Sequence, residues 1–170
     1  MQDTELFLSL AEIAGVFVGF GALIAIRSGG TSDVYDVAYI GMVVWVAIQV
    51  VVYSLAPVVI SRFDVTGHAL WVACSVIALA GFFIGDEAVM RISPERRAVL
   101  ASMTRRSRVR MELIGVPFWL PAVIALGLIL LGVLPDLESA LYFAAIVLVL
   151  LMDAVLLLVA VNRAWRPQTP

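Results

Sequence analysis

The sequence contains no Lys, one Cys and one His, and it is poor in charged residues of every kind. Only 14% of its 170 residues are charged, whereas 63% are hydrophobic. These proportions lie well outside those of soluble domains, because a water-soluble core of this size could not bury so much apolar surface. The composition therefore predicts an integral membrane protein.

The scarcity of Cys and His excludes two common stabilising features. Cys74 has no second Cys with which to form an internal disulfide. A zinc site normally draws four ligands largely from Cys and His, so the lone Cys and the lone His68 argue against one. We therefore expect neither a metal nor another cofactor. No phosphate-cradling motif occurs either, which excludes an ATP-driven pump formed by this chain alone.

What the sequence has in abundance is uninterrupted apolar runs. Each run is close to the roughly 20 residues that a helix needs to cross about 30 Å of hydrocarbon. The runs lack the strict alternation of a membrane barrel strand, so the spanning form is helical. The five predicted spans are residues 6–26, 37–60, 69–85, 113–134 and 141–161. Together they predict one all-α transmembrane domain over residues 1–170.

The distribution of Arg gives these spans a direction. If the N-terminus lies outside, ten Arg residues fall on the inner side and only Arg62 falls outside, which is a strong positive-inside bias. The C-terminus is then inside. The first run contains Glu12 and is not preceded by a basic residue, so we expect a retained span and not a cleaved signal peptide. A chain that uses Arg alone and is rich in Ala, Val, Leu and Gly fits a GC-rich bacterial genome, which predicts the bacterial inner membrane.

The longest predicted connection, residues 86–112, is cytoplasmic, Arg-rich and amphipathic. Ser93-Pro94-Glu95 has the pattern of an N-cap, a first-turn Pro and a first-turn acid, so a helix is predicted to begin there. Its basic residues are expected to contact the anionic inner leaflet or a partner protein. They are Arg96, Arg97, Arg105, Arg106, Arg108 and Arg110. No aromatic residue stands among them to stack bases, which argues against nucleic acid.

Small residues recur at a spacing of four in two of the predicted spans. Ala11, Gly15 and Gly19 would share one face of the first span, and Gly81 and Gly85 repeat the spacing in the third. Such faces let two helix backbones approach closely. The pattern is compatible with packing inside the subunit and with an interface between copies of the chain. We expect a homo-oligomer, because five helices enclose little interior of their own.

Two carboxylates interrupt the predicted spans, Glu12 in the first and Asp153 in the fifth. An acid in a spanning helix is costly, and no span contains Arg or Lys to neutralise it. The rise of a helix puts Glu12 about 9 Å, Gln49 about 16 Å and Asp153 about 18 Å below the outer hydrocarbon edge. Glu12 shares the face of Gly15, so we expect it to point towards protein or a lumen.

These groups predict a stepped polar path, with the two carboxylates as charged or titrating groups and Gln49 as a neutral ligand. The second span also presents a polar stripe formed by Asp36, Tyr39, Val46, Gln49 and Tyr53. Three further residues are assigned to the path: Ser9, Ser75 and Tyr39. The alternative for both acids is a protonated form that donates a hydrogen bond between helices.

The polar path predicts a subunit of an oligomeric channel or transporter for a cation or proton, and not an enzyme. The alternative is a non-transporting scaffold, assembly or regulatory subunit of a larger complex. A remote alternative comes from Tyr35-Asp36 and Gly85-Asp86, which resemble the Tyr-Asp and Gly-x-Gly-Asp motifs of intramembrane aspartyl proteases. Phe83 stands where the first Gly of the second motif belongs, so the resemblance is incomplete.

Overall fold

The computed structural model describes the backbone of residues 2–27, 34–85, 87–88, 91, 97 and 105–164. Some helix ends are described by their backbone alone, without side chains: residues 2–3, 24–27, 34–39, 105–114, 160 and 163–164. Throughout the described ranges the regular structure is helical and contains no strand.

Five long helices account for most of the described backbone. They are α1 (Gln2–Arg27), α2 (Val34–Ile60), α3 (His68–Ala80), α4 (Arg105–Leu130) and α5 (Glu138–Ala164). Short helical turns adjoin three of them. Ser61–Phe63 and Pro135–Leu137 are 3₁₀ turns, and Gly81–Gly85 is a π-helical turn that continues α3.

Four segments of these helices are long and apolar enough to cross a membrane. They are Thr4–Leu23, Ile40–Phe63, His68–Gly85 and Pro135–Val159. The apolar part of α4, Gly115–Leu130, is shorter. The prediction of an all-helical chain with several membrane-compatible helices is therefore confirmed.

One end of the bundle, which we call the His68 end, contains the connections of residues 61–67 and 131–137. Helices α2 and α4 finish there, while α3 and α5 begin there. The N-terminal part of α1 also lies at this end, because the Phe7 ring is 5.9 Å from the ring of Tyr142 and 6.1 Å from that of Trp71. Successive helices therefore alternate in direction.

The core lies where α2 packs against α1, α3 and α5, with α4 closing the bundle against α3 and α5. On α5, the residues Tyr142, Ile146 and Val149 are almost completely buried. At about 100° per residue they form one stripe that faces the other helices. Any residue further along α5 at the same angle around the helix axis therefore also faces the interior of the bundle.

Helix α4 ends at Leu130, earlier than residue 134, where the predicted fourth span ends. The reason is a C-terminal capping motif centred on Gly132, whose φ of 62° is accessible to glycine without steric cost. The Gly132 amide donates to the Ile129 carbonyl at 3.0 Å, and the Val133 amide donates to the Leu128 carbonyl at 3.3 Å. These two bonds satisfy the last carbonyls of the helix and turn the chain towards α5.

Pro57, inside α2, creates a polar group that the fold must satisfy. Proline has no amide hydrogen, so the carbonyl four residues earlier, that of Tyr53, loses its helical donor. The Tyr142 hydroxyl of α5 donates to this carbonyl at 2.9 Å. A side chain of one helix thus replaces the missing backbone bond of another and sets the register of α2 against α5.

Candidate functional site

Asp153 occupies the buried stripe of α5. It lies about three turns beyond Tyr142 and within about 20° of it around the helix axis. The side chain is fully buried, and neither carboxylate oxygen has a hydrogen-bond partner in the part of the chain that the structure describes. Burial of a polar group without a partner is costly. Asp153 is an acid on a stripe otherwise formed by apolar and aromatic side chains, and it is therefore the first candidate for a functional group.

Gln49 is buried on the side of α2 that faces α3. Its Nε2 donates to the Gly81 carbonyl at 2.9 Å, where the π-helical turn begins. Turns of this kind are rare and are frequent at functional sites. The side chain predicted as a neutral ligand on the path therefore has a hydrogen-bonding role between two helices.

Two serines add buried hydroxyl groups to the same core. Ser54 of α2 and Ser75 of α3 are fully buried, and within the described ranges neither hydroxyl has a hydrogen-bond partner. Ser75 was among the predicted path residues, whereas Ser54 was not. The signal for Ser54 was its position next to Tyr53 on the predicted polar stripe. Together with Asp153, these hydroxyls place several polar groups in a core that is otherwise apolar.

The helix register separates Gln49 from Asp153. The hydrogen bond from the Tyr142 hydroxyl to the Tyr53 carbonyl gives α2 and α5 a common reference level. In the direction away from the His68 end, Gln49 lies about 6 Å beyond Tyr53 along α2, and Asp153 lies about 16 Å beyond Tyr142 along α5. The two groups therefore differ by roughly 10 Å along the bundle. The nearly equal depths predicted for them are wrong, because α2 and α5 are aligned by this hydrogen bond and not by the ends of their apolar runs.

Glu12 lies on the opposite side of α1 from the core. The buried face of α1 is formed by Phe7, Leu10 and Ala14, whereas Glu12 and Ser9 are exposed. Within one copy of the chain, neither Glu12 nor Ser9 therefore joins the buried polar groups, and the expectation that Glu12 points towards protein or a lumen stays a prediction.

The glycines predicted as packing residues fall into two groups. The Tyr53 hydroxyl occupies the place where a Cβ of Gly81 would lie, and Trp45 Cζ2 would be 3.0 Å from a Cβ at Gly85. Both glycines therefore allow α2 to approach α3. By contrast, a Cβ at Gly15 or Gly19 would meet no atom of the described residues within 4 Å. Ala11, the third small residue of the first span, is partly buried.

Several predicted features fall outside the described residues. Arg96 and the predicted helix start at 93–95 are among them, as are the side chains of Tyr35, Asp36 and Tyr39 and the whole of Asp86. Arg97 is exposed and donates to the Arg91 carbonyl. The remaining basic residues, Arg105, Arg106, Arg108 and Arg110, lie in the first turns of α4, where only the backbone is described.

His68 and Glu138 form a charged or hydrogen-bonded pair at the His68 end, with His68 Nδ1 at 2.5 Å from Glu138 Oε1. Glu138 is the first residue of α5, where the helix dipole favours a negative charge. The Glu138 side chain is 3% exposed and that of His68 is 53% exposed. Nowhere in the described ranges do three His, Cys, Asp or Glu residues converge as a metal site would require. The pair joins the start of α3 to the start of α5.

The unequal burial of this pair predicts unequal mutational effects. His68→Ala should lower the free energy of unfolding by about 1 to 3 kcal/mol, because it leaves the buried Glu138 carboxylate without its partner. Glu138→Gln should cost less than about 1 kcal/mol, since an amide carries no charge and still forms hydrogen bonds. Thermal unfolding of detergent-solubilised protein measures both. The double variant should recover most of the His68→Ala loss, and equal losses in the two single variants would contradict this explanation.

Comparison of the chain with protein-family models, curated proteins and solved structures gave no match.

Proposed function

We propose that this chain is a subunit of an oligomeric membrane channel or transporter for a proton or cation, with Asp153 as the titrating group. The observation that supports this function is the complete burial of Asp153 with no partner for either oxygen among the described residues. An ionisable residue inside a membrane helix is expensive and is usually found on an ion or proton pathway. The chain therefore acts as a carrier of charge and not as an enzyme.

The proposed placement has five crossings, with the N-terminus outside in a bacterial inner membrane. The fifth crossing is α4, whose 26 residues extend about 39 Å. The His68 end then faces outwards and the basic first turns of α4 face the anionic inner leaflet. The alternating direction of the described helices supports this arrangement.

A proton is favoured over a metal cation. Two carboxylates are buried among the described residues, and Glu138 lies at the His68 end beside His68. Asp153 is therefore the one buried carboxylate described away from that end, whereas hard cations such as Ca²⁺ take about six to eight oxygen ligands. Gln49 lies roughly 10 Å from Asp153 along the bundle, a distance that hydrogen bonds cannot cross directly, so water molecules would complete the path between them. The Ser54 and Ser75 hydroxyls add buried polar groups on α2 and α3. Asp153 accepts the proton at its carboxylate and releases it from the neutral acid.

Proton uptake by proteoliposomes tests this function. Uptake driven by a potassium diffusion potential should fall at least about tenfold in Asp153→Asn, which keeps the side-chain shape and removes the titrating group. Asp136→Asn is the matched control, because Asp136 is exposed in the 3₁₀ turn before α5 and should leave uptake unchanged. Wild-type uptake in the Asp153→Asn variant, with an unaltered elution profile in detergent, would overturn the proposal.

A scaffold or regulatory subunit is the second candidate, favoured by the open face of α1. Among the described residues, no atom lies within 4 Å of a Cβ position at Gly15 or Gly19, which leaves room on this face for another protein. A scaffold would show no uptake in the wild-type protein and would copurify with a partner in a fixed ratio. Those two results together would favour it over transport.

A further inference from the structure

The connection between α4 and α5, residues 131–137, is apolar although it joins two helices at one end of the bundle. Four of its side chains are large, apolar and 40% to 76% exposed. They are Leu131, Val133, Leu134 and Leu137. The 61–67 connection at the same end is more polar and includes the exposed residues Arg62, Asp64 and Thr66. An exposed apolar patch marks a surface that contacts a protein or a membrane.

The length of α4 indicates which of these the 131–137 connection contacts. Together with Leu113 and Ile114, the apolar part of α4 that ends at Leu130 extends about 27 Å, which is less than the roughly 30 Å of a hydrocarbon core. The four residues that follow, 131–134, are Leu, Gly, Val and Leu. They continue the apolar surface of α4 at the end where the helix itself is too short.

The backbone of the 131–137 connection also suits a poorly hydrated place. Four of its amides donate to carbonyls of α4 or of the connection itself at 3.0 to 3.3 Å. They are the amides of Leu131, Gly132, Val133 and Leu137. Pro135 has no amide hydrogen. Lipid supplies no partner for a free backbone group, so a connection that satisfies most of its own amides can enter lipid at a lower cost than an ordinary loop.

Asp136 limits the depth that this connection can reach. It is exposed and is the only charged residue from 131 to 137. A charge in hydrocarbon is costly, so Asp136 must reach the headgroups or water. We infer that the 131–137 connection lies at the boundary between the acyl chains and the headgroups of the outer leaflet, and that phospholipid acyl chains cover its four apolar side chains. This inference rests on the proposed membrane placement and not on proton movement through Asp153.

The reaction of single Cys residues with a membrane-impermeant maleimide tests the inference. In a Cys74→Ala background reconstituted into liposomes, Leu131→Cys should react at least about tenfold more slowly than Thr66→Cys, because apolar surroundings disfavour the reactive thiolate. Thr66 is exposed at the same end, so the orientation of the protein in the liposomes affects both variants equally. Leu131 is 76% exposed in the bundle, so it would react as quickly as the control if water covered it. In SDS the two variants should react at equal rates.

Fluorescence quenching identifies what covers the connection. A fluorophore is attached to each Cys in detergent before reconstitution. Phospholipid brominated in its acyl chains should quench the label strongly at Leu131→Cys and Leu134→Cys and weakly at Thr66→Cys. Both the quenching and the slow maleimide reaction should persist as lipid dilutes the protein.

Three results would overturn the inference. The first is an equal reaction rate for Leu131→Cys and Thr66→Cys in liposomes. The second is slow reaction without quenching by the brominated lipid. The third is protection of Leu131→Cys that is lost on dilution, which would show that a protein, such as a second copy of this chain, covers the connection. Absence of proton uptake would overturn the function of Asp153 alone, since neither measurement depends on transport.

Discussion

Replacing Tyr142 with Ala is expected to lower the free energy of unfolding by about 3 to 5 kcal/mol. The Tyr142 side chain is fully buried, and its ring centre is 5.9 Å from that of Phe7 and 5.7 Å from that of Trp71. Its hydroxyl also satisfies the Tyr53 carbonyl. One side chain therefore joins α1, α2 and α3 to α5, and its loss leaves a cavity and removes the hydrogen bond to the Tyr53 carbonyl.

Tyr142→Phe separates the hydrogen bond from the packing. It should cost about 0.5 to 1.5 kcal/mol, because it removes the hydrogen bond that the Tyr142 hydroxyl donates to the buried Tyr53 carbonyl. Pro57→Ala restores a backbone amide that can donate to the same carbonyl. In that background, Tyr142→Phe should cost clearly less, so the two substitutions should not be additive.

Denaturant unfolding in mixed micelles, followed by Trp fluorescence, measures these variants. Phe63→Ala is the control for loss of an aromatic ring, because Phe63 is 75% exposed and lies in a connection. It should change stability by no more than about 0.5 kcal/mol. If Tyr142→Phe cost the same with and without Pro57, the explanation of the hydrogen bond would fail, while the packing effect of Tyr142→Ala would stand.

Gly81→Ala is expected to destabilise the protein by about 1 to 3 kcal/mol. The Tyr53 hydroxyl occupies the position of the added methyl group, and Tyr53 Cζ would be 2.9 Å from it. The Tyr53 ring is 2% exposed and packs at 5.7 Å from the ring of Phe82, so it has little room to move. The clash would separate α3 from α2 and strain the bond from Gln49 to the Gly81 carbonyl.

Gly127→Ala provides the matched comparison. Both glycines are helical, but a Cβ at Gly127 would meet no atom of the described chain within 4 Å. In an α-helix the change from Gly to Ala is stabilising by up to about 1 kcal/mol, so this variant should equal or exceed the wild type. Thermal unfolding in detergent distinguishes the two. Equal midpoints for Gly81→Ala and Gly127→Ala would refute the close contact of Tyr53 with α3.

The all-helical structure could be predicted from the sequence because helices are indicated by residues that are close together in the chain. Apolar runs of about 20 residues predict helices wherever they occur, and the observed α2 and α5 begin and end within a few residues of the predicted spans. The loss of a helical amide at Pro57 is likewise local, since proline never carries one. The cap at Gly132 was missed, although a Gly shortly before Pro135 is typical of a helix end.

The directions in which side chains point required the tertiary structure. The repeat of small residues every four positions predicted that Glu12 lies on a packing face. The same repeat occurs around Gly15 and around Gly81, but the surroundings of these two glycines differ. Gly81 lies against Tyr53, whereas in the described part of the chain no atom lies within 4 Å of a Cβ position at Gly15. A repeat of four residues identifies a face without identifying its partner, since that depends on how all the larger side chains pack together.

The sequence alone determined that this protein is helical and apolar, because helix length and hydrophobicity depend only on consecutive residues. It also identified Asp153 as anomalous, since an acid in an apolar run is visible without coordinates. Only the tertiary structure decided that Asp153 is enclosed while Glu12 faces outwards. The physical reason is that burial depends on the rotation and register of each helix, and here these follow from contacts far apart in the chain, such as that of Tyr142 with Tyr53.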